Sequence, residues 1–148
     1  MSRPLQAPHG IEARTRESFA RQAAMATLGI RLQHVQAGGV QLLLPHRADL
    51  TQQHGFLHAG IVSTALDSAC GYAAFTLMPA QAAVLTIEFK VNLLAPARGP
   101  LLRIEGRVVK AGRTINVVDA RAVQGDDDTL VATMTATVMT VLGRGLSG

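Results

Sequence analysis

From Val84 to Leu94 the chain alternates, with Leu85, Ile87, Phe89, Val91 and Leu93 on one face and Thr86, Glu88, Lys90 and Asn92 on the other. A period of two over that length predicts a half-buried β-strand. The stretches "PLLRIEGRVVKA", "TINVVDARAV" and "TLVATMTATVMTVL" follow in the same style, separated by the turn-like "PARG", "KAGRT" and "QGDDD". Short polar separators of this kind predict an antiparallel meander of four strands. Upstream, "IRLQHVQ" and "VQLLLP" predict a hairpin through Ala37, Gly38 and Gly39.

Between hairpin and meander the period lengthens. Val62, Ala65, Leu66, Ala69, Cys70 and Ala73 form one stripe at helical spacing, and Gly60, Ser63, Thr64, Asp67, Ser68 and Gly71 form a second, small and polar one. The spacing predicts a long buried helix whose small stripe permits close approach of another backbone or a ligand. An amphipathic surface helix is expected from about Ile11 to Leu28, closed by Gly29. Residues 1–10, with two prolines, are expected to be disordered, and residues 143–148 to form a flexible C-terminus. One domain at 11–142 remains. One long helix, a preceding helix and about six antiparallel strands predict an α+β domain whose sheet curls around the central helix.

Composition narrows the function. The 148 residues are 48% hydrophobic and 16% charged, enough for one sizeable core and against disorder. A net charge of +4 suits anionic partners, but the basic residues are scattered and aromatics are 3%, so a nucleic-acid surface lacks its stacking groups. Residues 60–78 are nearly long enough to span a membrane, yet small residues dominate and Asp67 would be unpaired in lipid. Neither a secretory leader nor a disulfide is expected; Cys70 is the single cysteine, and a cytoplasmic location fits. His34, His46 and His54 lack zinc spacing, and Asp126, Asp127 and Asp128 read as a solvated turn, so no metal or other cofactor is expected.

Asp67 is the unusual residue, a carboxylate in the middle of "GFLHAGIVSTALDSACGYAAFTLMP" with no cation in that stretch. A buried acid without a partner is costly and points to chemistry. The helix opening at Ala59 and Gly60 offers unpaired N–H groups and the positive end of the helix dipole, suited to a developing oxyanion. Asp67 lies about two turns further on, roughly 12 Å of axial rise, too far to act with its own chain's donor.

"LHAGIVSTALDSACGYA" resembles the signature segment of the hotdog-fold thioesterases of the PaaI-like and 4-hydroxybenzoyl-CoA thioesterase type, in which a His-Gly-Gly tripeptide opens the central helix and an acid follows nine residues after the His. His58 and Asp67 keep that spacing, and Ala59 replaces the middle glycine. The similarity runs over about residues 15–142, including "VLTIEFKVNLLAPARG" and "GRVVKAGRTINVVDARA". It implies the hotdog fold and hydrolysis of an acyl-CoA thioester, with Asp67 as general base or nucleophile and the Ala59 N–H polarising the carbonyl. It also implies a homo-oligomer, a dimer or dimer of dimers, in which Asp67 of one subunit faces the helix start of another. Gln52 stands where the family carries a residue that orients water or the carbonyl, and Thr86 matches a family hydroxyl near the attacking water. His58 is expected to organise the loop by hydrogen bonding.

A hotdog hydratase would carry a His five residues after its acid, and that position is Tyr72. The remaining alternative is a non-catalytic acyl-CoA-binding or regulatory protein. For the phosphates of coenzyme A, Lys110 and Arg113 around "KAGRT", with Arg98, are the expected cations. Phe56, Tyr72, Phe75 and Met78 either line an acyl pocket or belong to the core.

Overall fold

The computed structural model describes residues 5, 6 and 8–148, so the expected disordered start lies partly outside the described residues. Three helices and six strands follow: α1 (Ile11–Ala20), α2 (Ala23–Leu28), β1 (Arg31–Gln36), β2 (Gly39–Pro45), α3 (Ala59–Phe75), β3 (Ala83–Leu93), β4 (Leu101–Ala111), β5 (Ile115–Gln124) and β6 (Thr129–Val141). A 3-10 turn at Ala48–Leu50 leads into α3. All strand pairs are antiparallel, and one curved sheet wraps the buried side of α3. None of the helices is long and apolar enough to cross a membrane, among the described residues.

Expectation and structure part at three places. The single helix over 11–28 is two helices, because Gln22 adopts an extended conformation (φ −81°, ψ 96°) and its side-chain oxygen accepts from the Ser68 hydroxyl on α3. A long-range contact outweighs helix propensity there. The sheet order is β1-β2-β4-β5-β6-β3, so the four-strand meander is instead a three-strand one, β4-β5-β6. The segment after β3 crosses the sheet end to place β4 beside β2, while β3 pairs with β6 at the edge.

The third departure concerns the face of β3. Its register against β6 shifts between Thr86 and Glu88, leaving Ile87 as a bulge. Before the bulge Thr86 lies opposite the buried Val138; after it Phe89 lies opposite the buried Ala136. Directly opposed residues share a face, so Thr86 points to the helix side together with Phe89, Val91 and Leu93. The extra residue reverses the alternation once. Nor does the apolar set form a buried face: Leu85, Ile87, Phe89 and Leu93 are 46–54% exposed along this edge.

The helix meets the sheet as its two stripes predict. Val62, Ala65, Leu66, Ala69, Cys70 and Ala73 are buried against Leu42, Leu44, Ile104, Val118, Met134 and Val138. Contact is closest at Gly106 of β4, where an added Cβ would lie 2.6 Å from the Ala69 carbonyl carbon and 3.2 Å from its Cβ. Arg14 of α1 closes the far end of α3, donating to the carbonyls of Phe75 (3.2 Å) and Met78 (2.8 Å) with its guanidinium 4.6 Å from the Phe75 ring centre. After β6, residues 143–147 are exposed, and the Gly148 N–H donates to the Ala82 carbonyl at 3.1 Å. Gly143 and Gly145 take positive φ (67° and 71°), which turns the chain after β6.

Candidate active site

His58 opens α3 from an extended conformation, and its Nδ1 accepts from the Gly60 N–H at 2.8 Å. It is therefore a cap, satisfying one of the free donors at the helix start. Its ring is committed to the loop, and Gly60 has no spare donor. The Ala59 N–H has no acceptor among the described residues and faces the exposed helix start. Ala59 is helical, and Asp128 is the one non-glycine with positive φ among the described residues, so alanine in place of glycine brings no backbone strain.

Asp67 sits two turns along. Its Oδ1 accepts from the Thr86 hydroxyl at 2.7 Å, and Oδ2 has no partner among the described residues. The bulge at Ile87 is what aims Thr86 inward, so one strand irregularity sets the orientation of the acid. Asp67 is half-buried and lines a cavity of about 270 Å³ with Thr86, Ser68, Tyr72, Ser18 and Gln22. Ser18 and Tyr72 hydroxyls are 3.3 Å apart, and Ser68 donates to Gln22 at 3.3 Å. Burial pushes the Tyr72 hydroxyl's pKa up, opposed by the Ser18 hydrogen bond and the charge of Arg21. Tyr72 is neutral at ordinary pH and is no base.

The expected site residues thus fall into two groups. Gln52, His58 and Ala59 gather at the start of α3, where Gln52, Phe56, Leu57, Ala59, Leu93 and Pro96 line a second hollow of about 380 Å³. The Gln52 side-chain oxygen accepts from the His54 N–H, which leaves its NH₂ for another acceptor. Asp67 and Thr86 form the other group, about 12 Å of helix rise from Ala59. Within one chain they do not meet.

The cations divide similarly. Lys110 and Arg113 are exposed at the β4–β5 turn, whose Thr114 carbonyl accepts from Thr140 N–H at 2.7 Å, at the sheet end where β3 begins. Arg98 stacks over the Phe56 ring at 5.1 Å and lies before the start of β4. That strand has eleven residues, so roughly 33 Å separates Arg98 from Lys110 in one subunit. Within one chain, Arg98 therefore stands far from Lys110 and Arg113. Phe56 and Tyr72 line the two hollows, whereas Phe75 and Met78 are core.

Cys70, one turn from Asp67, is buried, and its thiol pKa is pushed up by burial first and then by the Asp67 and Asp119 carboxylates. It stays a thiol at neutral pH and is no nucleophile. Ser18, Arg21 and Gln22 were not expected around Asp67. Only the small stripe hinted at them, since it left room for a neighbour whose identity depends on where α1 and α2 dock.

A family model described as the thioesterase superfamily matches residues 54–131, more than half of the chain, and covers His58, Ala59, Asp67 and Thr86, with Gln52 just before it. The chain belongs to the thioesterase superfamily. A crystallised thioesterase family protein from Silicibacter pomeroyi is 56% identical, with a TM-score of 0.88 over 90% of this chain and 100% of that one. The E. coli PaaI protein from the phenylacetic acid degradation operon shares the fold at 19% identity, with a TM-score of 0.84 over 93% of this chain and 98% of that one. A Saccharolobus solfataricus protein provisionally named as an esterase, SSO2140, is 36% identical over 62% of this chain and 65% of its own length. A second from that organism, SSO1253, is 34% identical over 68% of this chain and 67% of its own. The chain spans about two thirds of the length of these curated relatives. Superfamily membership accounts for the hotdog arrangement of α3 within the curved sheet and makes thioester hydrolysis the reaction class to weigh against the geometry.

Proposed function

We propose that the chain is an acyl-CoA thioesterase, active as a homodimer in which Asp67 of one subunit and the Ala59 N–H of the partner subunit form one site. The observation that carries this reading is the Thr86–Asp67 hydrogen bond, which holds a half-buried carboxylate at a cavity with one oxygen free. Superfamily membership supports the reaction class. Two-fold pairing of the exposed β3 edges would run the strands in opposite directions. It would bring the partner subunit's α3 start, with its free donor, toward Asp67.

The steps follow from the groups available. The thioester oxygen accepts from the partner subunit's Ala59 N–H at the positive end of that helix, where charge developing on the oxygen is stabilised. As base, Asp67 Oδ2 takes a proton from water while the water oxygen bonds to the carbonyl carbon; the C–S bond then breaks and the coenzyme A thiolate recovers the proton. As nucleophile, Asp67 would itself bond to that carbon, expel the thiolate, and leave a mixed anhydride for water to cleave. Both routes need the ionised carboxylate. The Gln52 NH₂ of the subunit that supplies Ala59 would donate to the carbonyl or to the water.

The same pairing would bring the partner subunit's Arg98 toward Lys110 and Arg113, so the nucleotide of coenzyme A would straddle the two chains. Incubating the protein with short, medium, long and aromatic acyl-CoAs and measuring released thiol tests the activity. Hydrolysis of at least one is expected; binding of several with hydrolysis of none would favour a regulatory protein. Substituting Lys110 and Arg113 together by Ala should raise KM for acyl-CoA by roughly tenfold, the scale of two exposed phosphate contacts. KM for the corresponding pantetheine thioester should stay within about twofold. An equal rise on both substrates would show that these side chains do not hold the nucleotide.

A further inference from the structure

Asp67 Oδ2 has no partner among the described residues, and the hydroxyls beside it are already engaged. Thr86 donates to Oδ1 at 2.7 Å, and Ser68, the next residue on α3, donates to the Gln22 side-chain oxygen at 3.3 Å. That bond fixes the Gln22 amide with its oxygen toward Ser68, and neither N–H of its NH₂ has an acceptor among the described residues. Gln22 and Asp67 line the same cavity. Tyr72, whose hydroxyl pairs with Ser18, stands five residues further along α3, roughly 7.5 Å of rise, so Gln22 is the donor at the level of the acid.

The docking of α1 brings Gln22 there. Arg14 donates to the Phe75 and Met78 carbonyls, Ser18 meets Tyr72, and Gln22 meets Ser68, so every fourth residue of this segment touches α3 while the contacts step down toward Asp67. At Gln22 the backbone leaves the helix (φ −81°, ψ 96°), and although the residue precedes α2 as its N-cap, its side chain makes no capping bond. The side chain is committed to α3 instead.

We propose that Gln22 holds the attacking water, its NH₂ donating to the water oxygen while that water donates to Asp67 Oδ2. This rests on the thioesterase reading, since it takes Asp67 as the group that acts on water. A carboxylate only accepts, so a water held by Asp67 alone can swing about a single bond; a second bond, from a fixed amide, aims its remaining lone pair. On the base route that lone pair bonds to the carbonyl carbon as Oδ2 takes the proton. On the nucleophile route the water cleaves the anhydride, its oxygen bonding to the acyl carbon while the bond to Asp67 breaks, which leaves the free acid and the Asp67 carboxylate. Gln52 of the subunit that supplies Ala59 is then left for the thioester oxygen, and each glutamine has one task.

Two variants test this. Gln22→Glu keeps the side-chain length and an oxygen for the Ser68 hydroxyl but loses the donor; Gln22→Met loses both. In each, kcat on the best acyl-CoA should fall by about tenfold or more, the scale of one lost hydrogen bond in the transition state, with KM within about twofold. A residue that served Ser68 alone would leave Gln22→Glu at the wild-type rate. A crystal structure of the wild type should show a water within about 3.2 Å of both Gln22 Nε2 and Asp67 Oδ2, and the Gln22→Met protein should lack it. Wild-type kcat in Gln22→Glu, or absence of that water from an active enzyme, would overturn the role of Gln22 and leave the chemistry of Asp67 standing. Failure of the wild type to hydrolyse any acyl-CoA would instead overturn the thioesterase reading, and the attack by this water with it.

Discussion

Replacing Asp67 by Asn is expected to lower kcat on the best acyl-CoA by at least about a hundredfold, the lower range for loss of an acid–base group. Asparagine keeps the size of the side chain and can still accept from the Thr86 hydroxyl through its amide oxygen, so the bond seen at 2.7 Å has a surrogate. What disappears is the free, basic Oδ2. Because Asp67 touches the reacting atoms rather than the nucleotide, acyl-CoA affinity and oligomer mass should persist, and the loss should sit in kcat rather than KM. Steady-state kinetics beside calorimetric titration separates the two. A variant turning over near the wild-type rate would make Asp67 a structural carboxylate and end both chemical routes.

A comparable loss is expected from the edge of the sheet. Leu85, Ile87 and Phe89 are 46–53% exposed on a strand that has a partner on one side only. An open, apolar edge is a template for another strand. Ile87→Lys combined with Phe89→Lys would set like charges against each other across a two-fold axis, at a cost of several kcal/mol. Sedimentation velocity should then show a monomer, and activity should fall by more than about a hundredfold because Asp67 loses the donor supplied by the other subunit. The monomer should remain folded by circular dichroism, since neither side chain belongs to the core. A folded monomer with wild-type kcat would mean that one chain completes the site alone.

Local periodicity revealed what is locally determined. The stripes of α3 were legible because a buried helix repeats every few residues, and the position of Asp67 on the small stripe followed from the same count. Thr86 was legible as a partner only by resemblance. Simple alternation put it on the face away from Phe89, and the bulge that turns it inward depends on pairing with β6, about fifty residues later. Strand order was hidden for a similar reason. A turn-like "PARG" fits a hairpin and a crossover equally well, and the choice is made by β2 and β6 competing for neighbours. The break at Gln22 likewise goes with Ser68, which is far away in sequence.

The bare α-carbon of Gly106 bears on any attempt to move this chemistry elsewhere. Ala69 rests on it two positions after Asp67, so the missing side chain works as a shim that fixes how deep the helix rides in the sheet. A larger residue there would have to lift the helix, and the acid with it, away from a hydroxyl on the strand at the sheet's margin. The tolerance of the carboxylate is therefore held by a residue that touches neither substrate nor acid. Copying the helix motif onto another curved sheet would transfer the chemical groups and lose their spacing, unless the receiving strand also leaves that one gap.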